Sequence, residues 1–259
     1  MADVVSADVV SADVVLAISG LAKRFGGLRV SDGITLDIVR NELHALIGPN
    51  GAGKTTLINQ LQGTLLPDAG RIVFEQHDIT AEAVHRRALR GIARSFQITS
   101  VIPSFTSCQN VALAVQGRLG HSFRFWKPAG TDPDLMQPAR DALALVGLAD
   151  CADIPADRLS HGQRRQLEIA IALAMNPKLL LLDEPMAGMG RNEAATIIRL
   201  LRQLKGRYTI VMIEHDMDAV FSLADRVSVL VSGQLVATGT PAEVRNDPKV
   251  LTAYLGTKQ

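Results

Sequence analysis

The stretch "HALIGPNGAGKTT", residues 44–56, constrains the fold more than any other. Its apolar start is continuous rather than alternating, as in a parallel strand buried on both faces. Gly48, Gly53, Lys54 and Thr55 then match the pattern G-x-x-x-x-G-K-[ST]. The glycines let successive backbone N–H groups point into one concavity, and the helix that must follow adds its positive N-terminal end. Such a strand–loop–helix unit belongs in a largely parallel sheet covered by helices. Lys54 is positioned to reach the β- and γ-phosphates of a nucleotide, and Thr55 to offer its hydroxyl to Mg²⁺. Asn50, Gly51 and Thr56 belong to the same cradle. The motif alone does not separate a kinase, a GTPase and a transport ATPase.

Two further apolar runs, "KLLLLDE" (178–184) and "YTIVMIEH" (208–215), read as buried parallel strands. "LAISGLAKRF", "GITLDIV" and "GRIVFEQHDI" read as shorter strands with turns, forming a smaller antiparallel sheet beside the core. Residues 98–160 change character, with two helical patterns around the polar, aromatic "GHSFRFWKPAGTDPD". They read as an inserted helical subdomain. "LSHGQRRQLEIAIALAMNP" resumes the core, with Leu167, Ile171 and Met175 on one helical face and Asn176-Pro177 as the stop. "TPAE" (240–243) opens a helix, with Thr240 as cap and Pro241 in the first position. The start repeats "SADVV" in near-identical copies, too few to form a solenoid. The expected organisation is a leader at 1–15 and one domain at 16–259. Within it, 16–97 and 161–240 form the core with its β-subdomain, 98–160 the helical part and 241–259 a tail.

Composition narrows the partners. Twenty-seven basic and 26 acidic residues leave a net charge of +1, which gives no global field for nucleic acid. The two cysteines, Cys108 and Cys151, form no CxxC and read as reduced thiols. No apolar run reaches the roughly 18–20 residues that a membrane helix needs, and the acidic start lacks the basic region of a secretory signal.

The rest of the site is sought at strand ends. Asp183 closes an apolar strand, where a carboxylate is costly to bury, and a P-loop protein needs one there for its Mg²⁺ shell. Glu184 follows and can deprotonate an attacking water. Successive strand residues face opposite ways, so the strand must end near 183 for both to serve one site. His215 ends another strand, from which its imidazole can reach the γ-phosphate and that water. Gln97, at the border of the helical insert, can contact Mg²⁺ or water and move with the insert. Phe25 is either a core residue or a platform for an adenine ring.

"GPNGAGKTT", "RSFQ", "LSHGQ", "LLLLDEP" and "IEHD" stand in the order found in ATP-binding subunits of ABC transporters. The resemblance runs from about residue 16 to 257, and "LSHGQ" is its discriminating piece. It implies an α/β fold: a P-loop, RecA-like core with an antiparallel β-subdomain and an inserted helical subdomain. It also implies that two subunits pair head to tail around two ATP molecules. Ser160, Gly162 and Gln163 of one subunit would then face the γ-phosphate held by the other. "KRFGGLRVSDGITLDI", "EPMAGM" and "AEVRNDPKVLTAYLG" resemble importer subunits for branched-chain amino acids, of the larger ATPase type. The resemblance thus implies an ATPase at the cytoplasmic face of the inner membrane. Its partners would be two multi-span permease subunits, a second ATP-binding subunit and, through the permease, an extracytoplasmic solute-binding protein. The segment after Gln97, including Phe105, would receive a membrane-subunit helix. The sequence departs from the family at His161, Gly190 and Gln166. None of these touches Lys54, Asp183, Glu184 or His215, so an active ATPase is expected. The competing readings are an ATPase of lipid or lipopolysaccharide export and a soluble non-transport ATPase of the same family. The tail favours amino acids, and one cassette without heptads or a basic tract speaks against the soluble class.

Overall fold

The computed structural model describes residues 13–95, 101–120 and 132–255. Gln97, most of the polar stretch at 120–134, and the first copies of the repeat lie outside them. Two sheets organise the described chain. The first is antiparallel and built from β1 (Val14–Phe25), β2 (Leu28–Val39), β4 (Ala69–Phe74) and β5 (His77–Asp78), in the order β2-β1-β4-β5. In β2, buried Ile34, Leu36 and Ile38 alternate with exposed neighbours, the pattern of a sheet with one wet face. β1 begins two residues inside the stretch assigned to the leader. Val14 pairs with Val39, and Val15 is buried in the core, so these two valines have partners that hold them in the sheet.

The second sheet has the order β10-β9-β3-β8-β7-β6. Its strands are β3 (Leu43–Ile47), β6 (Ile92–Ser95), β7 (Leu179–Asp183), β8 (Thr209–Ile213), β9 (Arg226–Val231) and β10 (Gln234–Gly239). All are parallel except β10, which returns antiparallel along β9. Every residue of β3, β7 and β8 is buried, as continuous apolar runs require when helices or strands cover both faces.

Helix α1 (Lys54–Gln62) lies between the two sheets. Its Leu57, Ile58 and Leu61 pack with Leu16 and Ile18 of β1, Ile34 of β2, and Leu181 and Val211 of the parallel sheet. A short helix, α2 (Val84–Arg90), precedes β6. The opposite face of the parallel sheet carries α5 (His161–Ala174), α6 (Arg191–Leu204) and α7 (Met217–Leu223), while α3 (Ser107–Leu119) and α4 (Pro133–Leu145) pack against each other and against α5. Leu167 of α5 is buried there, with Ile171 and Met175 packed against the same cluster. Asn176, with φ of 51°, turns the chain away after the helix. Both α3 and α5 open with capping boxes, Thr106–Gln109 and Ser160–Gln163. Thr240, Pro241 and Glu243 start α8 (Pro241–Asn246) as the sequence suggests, and α9 (Pro248–Leu255) follows. No helix among the described residues is long and apolar enough to cross a membrane.

Candidate functional site

Four neighbouring parallel strands deliver chemistry to one edge of the sheet, outside their carboxyl ends, where open α/β sheets bind ligands. β3 ends at Ile47 and feeds the glycine loop. β8 ends at Ile213, directly opposite both Leu46 of β3 and Asp183 of β7. β6 places Ser95 opposite Leu182, with Arg94 just before it.

The loop is held tightly from below. A Cβ at Gly48 would overlap the Leu230 carbonyl oxygen, and one at Gly53 the Val30 carbonyl oxygen. Gly53 also has φ of 103°, which side-chain-bearing residues rarely adopt. Gly53 caps α1 without any side-chain hydrogen bond, so the first N–H groups of α1 carry no side-chain acceptor. Asn50, Gly51 and Thr55 are exposed, and Thr56 is half-buried. The Lys54 ammonium is folded onto the loop, donating to the Gly48 carbonyl at 2.7 Å and the Pro49 carbonyl at 3.0 Å. Burial lowers its pKa, and the charges of Glu184 and Asp183 oppose that shift. Lys54 and the two carboxylates therefore share one electrostatic site.

β7 ends at Asp183, as the pairing of Asp183 and Glu184 in one site demands. Glu184 has φ of 48° and donates its N–H to the Ile213 carbonyl at 3.0 Å. That left-handed turn breaks the strand alternation, so consecutive carboxylates need not face opposite ways. Asp183 is fully buried. Burial raises its pKa, and the Arg94 guanidinium is the main opposing influence. Arg94 Nη2 donates to Asp183 Oδ2 at 2.9 Å, while Oδ1 has no partner among the described residues. A buried acceptor left open in this way fits a metal-bound water or a divalent cation, since a buried carboxylate oxygen needs a donor or a metal. Thr55, exposed in the first turn of α1, carries a hydroxyl that such a set could use.

His215 lies two residues beyond β8, with its side chain 65% exposed. Its neighbour Glu214 is buried and accepts from the Met186 N–H at 2.9 Å and the His215 N–H at 3.1 Å. Burial pushes the Glu214 carboxyl pKa up, against the pull of those N–H groups. Phe25 ends β1 with half its surface exposed, and Lys23 Nζ lies 5.8 Å from its ring centre. It is therefore not a core residue.

Ser160, Gly162 and Gln163 do not join the cradle of their own chain. The Ser160 hydroxyl accepts from the Gln163 N–H at 3.2 Å, and Gln163 Oε1 accepts from the Ser160 N–H at 2.9 Å. The Gly162 N–H donates to Glu193 Oε1 at 3.1 Å, and the other oxygen of Glu193 accepts from the Gly190 N–H at 3.4 Å. Ser160, Gly162, Gln163 and Glu193 line a cleft of about 360 Å³ with Asn192 and Thr196.

Four residues that sequence reasoning passed over shape this edge: Arg94, Arg165, Glu193 and Glu214. Arg165 of α5 donates to the carbonyls of Asp183 at 2.7 Å, Glu184 at 2.8 Å and Pro185 at 3.2 Å. It also pairs with Glu168 at 2.7 Å. The helix that starts at Ser160 is thus tied to the turn that carries Glu184. Arg94 and Glu214 had a visible signal, since each is a charged residue inside or at the end of an apolar strand.

A glycine-rich loop between a buried strand and an uncapped helix, facing a buried Asp and a turned Glu, defines a P-loop nucleotide-binding protein. Comparison with known proteins gives the particular kind. Residues 31–187 match the ABC transporter family, and residues 234–258 match the branched-chain amino acid ATP-binding cassette transporter family. The high-affinity branched-chain amino acid transport ATP-binding protein BraF of Pseudomonas aeruginosa is 36% identical over 93% of this chain and 97% of its own. The corresponding LivG of Escherichia coli K12 is 34% identical, over 93% of this chain and 97% of its own. The crystal structure of MJ1267, an ATP-binding cassette of an ABC transporter in its ADP conformation, superposes with a TM-score of 0.82. It is 32% identical and covers 94% of this chain and 99% of its own. The chain belongs to the ABC transporter family and has the fold of its ATP-binding cassettes.

Proposed function

We propose that this chain is the ATP-hydrolysing subunit of an importer for branched-chain amino acids or related small solutes. The observation that carries the ATPase reading is the left-handed turn at Glu184, beside buried Asp183 and the cradle lysine. The importer reading is supported by the match over residues 234–258 and by relatives whose names specify branched-chain amino acid transport.

In this reading the loop N–H groups and Lys54 hold the phosphates, and exposed Phe25 stacks on the adenine. Lys54 exchanges its two loop carbonyls for phosphate oxygens, which suits a cation already held in place by the loop. Mg²⁺, held by Thr55 and Asp183 with Gln97, would neutralise charge on the transferring phosphate. Glu184 orients a water and takes its proton as the water oxygen bonds to the γ-phosphorus. The bond to the ADP oxygen breaks, ADP leaves, and Glu184 returns its proton to solvent. His215, exposed at the end of the neighbouring strand, steadies the γ-phosphate.

A second ATP-binding subunit brings its own Ser160-type hydroxyl and helix start to this phosphate, or this chain pairs with a copy of itself. Two multi-span permease subunits place the assembly at the cytoplasmic face of the inner membrane, and a solute-binding protein delivers cargo on the far side. Ile102 and Phe105, each 37% exposed, offer apolar surface to a permease helix.

The test begins with Glu184→Gln. Hydrolysis should fall by about 10²–10⁴-fold, the usual contribution of a general base, with ATP affinity retained. Near-normal turnover would remove Glu184 from this role. Purification of the tagged chain from solubilised native membranes should bring two multi-span proteins. Recovery of ribosomal or DNA-associated partners alone would overturn the importer reading and leave the ATP site standing.

A further inference from the structure

Arg94, the first residue of "RSFQ", puts a charge on an otherwise uncharged strand. It sits on β6, with its side chain 8% exposed, and it makes three charge-assisted contacts to two different elements. Nη2 donates to Asp183 Oδ2 at 2.9 Å. Nη1 donates to Asn59 Oδ1 at 2.6 Å and to Gln62 Oε1 at 2.7 Å, both on α1. The first turn of α1 carries Lys54 and Thr55. One guanidinium therefore spans the strand that ends in Asp183 and the helix that begins with Thr55.

We infer that Arg94 is a positioning residue that sets the Mg²⁺ dependence of ATP binding, by fixing Asp183 relative to Thr55. The inference rests on the ATP-binding reading above. Two observations carry it. First, Arg94 engages only one carboxylate oxygen, Oδ2, and leaves Oδ1 buried and unpartnered among the described residues. The carboxylate cannot rotate without breaking that contact, so its open oxygen has one direction. Second, the planar fork holds α1 and β7 at one separation, a task a flexible ammonium does poorly. Residues that orient a metal's ligands typically contribute about 10–100-fold to metal affinity.

A plain structural role for Arg94 predicts something different. A stabilising ion pair would lower the unfolding temperature when removed but would leave the ratio of ATP affinities with and without Mg²⁺ unchanged. That ratio is the decisive readout. ATP binding to the purified full chain is measured by titration calorimetry in Mg²⁺ and in EDTA, for the wild type, Arg94→Met and Arg94→Lys, with unfolding temperatures recorded alongside. The wild type should bind ATP more tightly in Mg²⁺. Arg94→Met should lose about tenfold or more of that gain, with its Mg²⁺-free affinity within about twofold of wild type. Arg94→Lys should recover only part of the gain, because one ammonium cannot reach Asp183, Asn59 and Gln62 together.

Should Arg94→Met fail to fold, the double variant Asn59→Ala/Gln62→Ala serves instead. It keeps every charge and removes only the anchors on α1, and its Mg²⁺ gain should fall in the same direction. An unchanged Mg²⁺ gain in a folded Arg94→Met or in the double variant would overturn the inference while leaving the ATP reading intact. A wild type with no Mg²⁺ gain at all would instead overturn the ATP–Mg²⁺ reading on which it rests.

Discussion

Arg87 offers the sharpest test of how the cradle helix is held. It lies on α2 and is completely buried. Its guanidinium donates to the carbonyls of Gln60 at 2.6 Å and Leu61 at 2.8 Å, in the last turn of α1. It also reaches the carbonyls of Glu82 at 2.9 Å and Thr80 at 3.0 Å. Burial lowers its pKa, and Glu82 opposes the shift, but a guanidinium stays charged. A cation at the carboxyl end of a helix also complements its dipole. Arg87→Met removes all four donors. The Thr80 and Glu82 carbonyls are partly open to water and can recover there. The Gln60 and Leu61 carbonyls are buried, and each unpaired buried acceptor costs about 1–3 kcal/mol. The cost of burying the guanidinium disappears at the same time, which offsets part of this. The net loss should be about 2–4 kcal/mol, the cost of two unpaired buried acceptors less that offset. At about 2–4 °C per kcal/mol, the midpoint should drop by about 4–16 °C. Arg90→Met is the control, because its ion pair with Glu82 lies near the surface, where solvent screening leaves such a pair little effect on stability. Urea and thermal unfolding of both variants decide the matter. A loss for Arg87→Met within about 1 kcal/mol of the Arg90→Met value would refute the reasoning, since those carbonyls would then have found other donors.

Two further outcomes follow from named contacts. Glu193 occupies the Gly162 N–H that the two-subunit reading assigns to the partner's phosphate. Glu193→Gln keeps an acceptor but removes its charge, so in a Glu184→Gln background ATP-driven dimerisation should tighten by about 5–30-fold, or about 1–2 kcal/mol. Analytical ultracentrifugation reads this directly, and a looser dimer would mean that Glu193 organises the helix start rather than blocks it. The Asp68 carboxyl is held below its ordinary value of 3.8, first by the Lys23 ammonium and then by the Arg24 N–H. A lowered carboxylate pKa adds stability above the unfolded value and loses it as pH falls through the folded one. The stability gap between wild type and Asp68→Asn should therefore be present at neutral pH and close below about pH 4. A gap that widens in acid would contradict the assignment.

Much of the architecture was legible because its signals are local. The buried strands at 43–47, 179–183 and 209–213 are continuous apolar runs, and the helix starts at Thr240 and in the glycine loop carry their own chemistry. Even the Ser160–Gln163 capping box was readable as S-x-x-Q, although the family resemblance drew attention to the same residues for another reason. What could not be read depends on tertiary pairing. Arg94 and Asp183 are 89 positions apart, and Gly162 and Glu193 are 31 apart. No periodicity brings such residues together. The start of β1 is hard to read for a related reason. The repeat makes Val14 and Val15 look like the valines before them, and only their pairing with β2 and burial in the core distinguish them.

The two helix starts of the site differ in a way that bears on how the subunit works. α1 begins with no side-chain cap, no acidic residue in its first turn and an exposed Thr55, so it can take an anion at once. α5 begins fully engaged by its own chain, with Ser160 and Gln163 capping each other and Glu193 on the Gly162 N–H. The first can bind phosphate in an isolated subunit, whereas the second must exchange a carboxylate for a phosphate before it can do so. Arg165 makes that exchange matter beyond the helix start, because it joins α5 to the carbonyls of Asp183, Glu184 and Pro185. A shift of α5 on meeting a partner's ATP would therefore be felt at the turn that aims Glu184. On the proposed two-subunit reading, binding at the cradle can precede pairing, and the contacts of α5 with the Glu184 turn are the route by which pairing would act on hydrolysis.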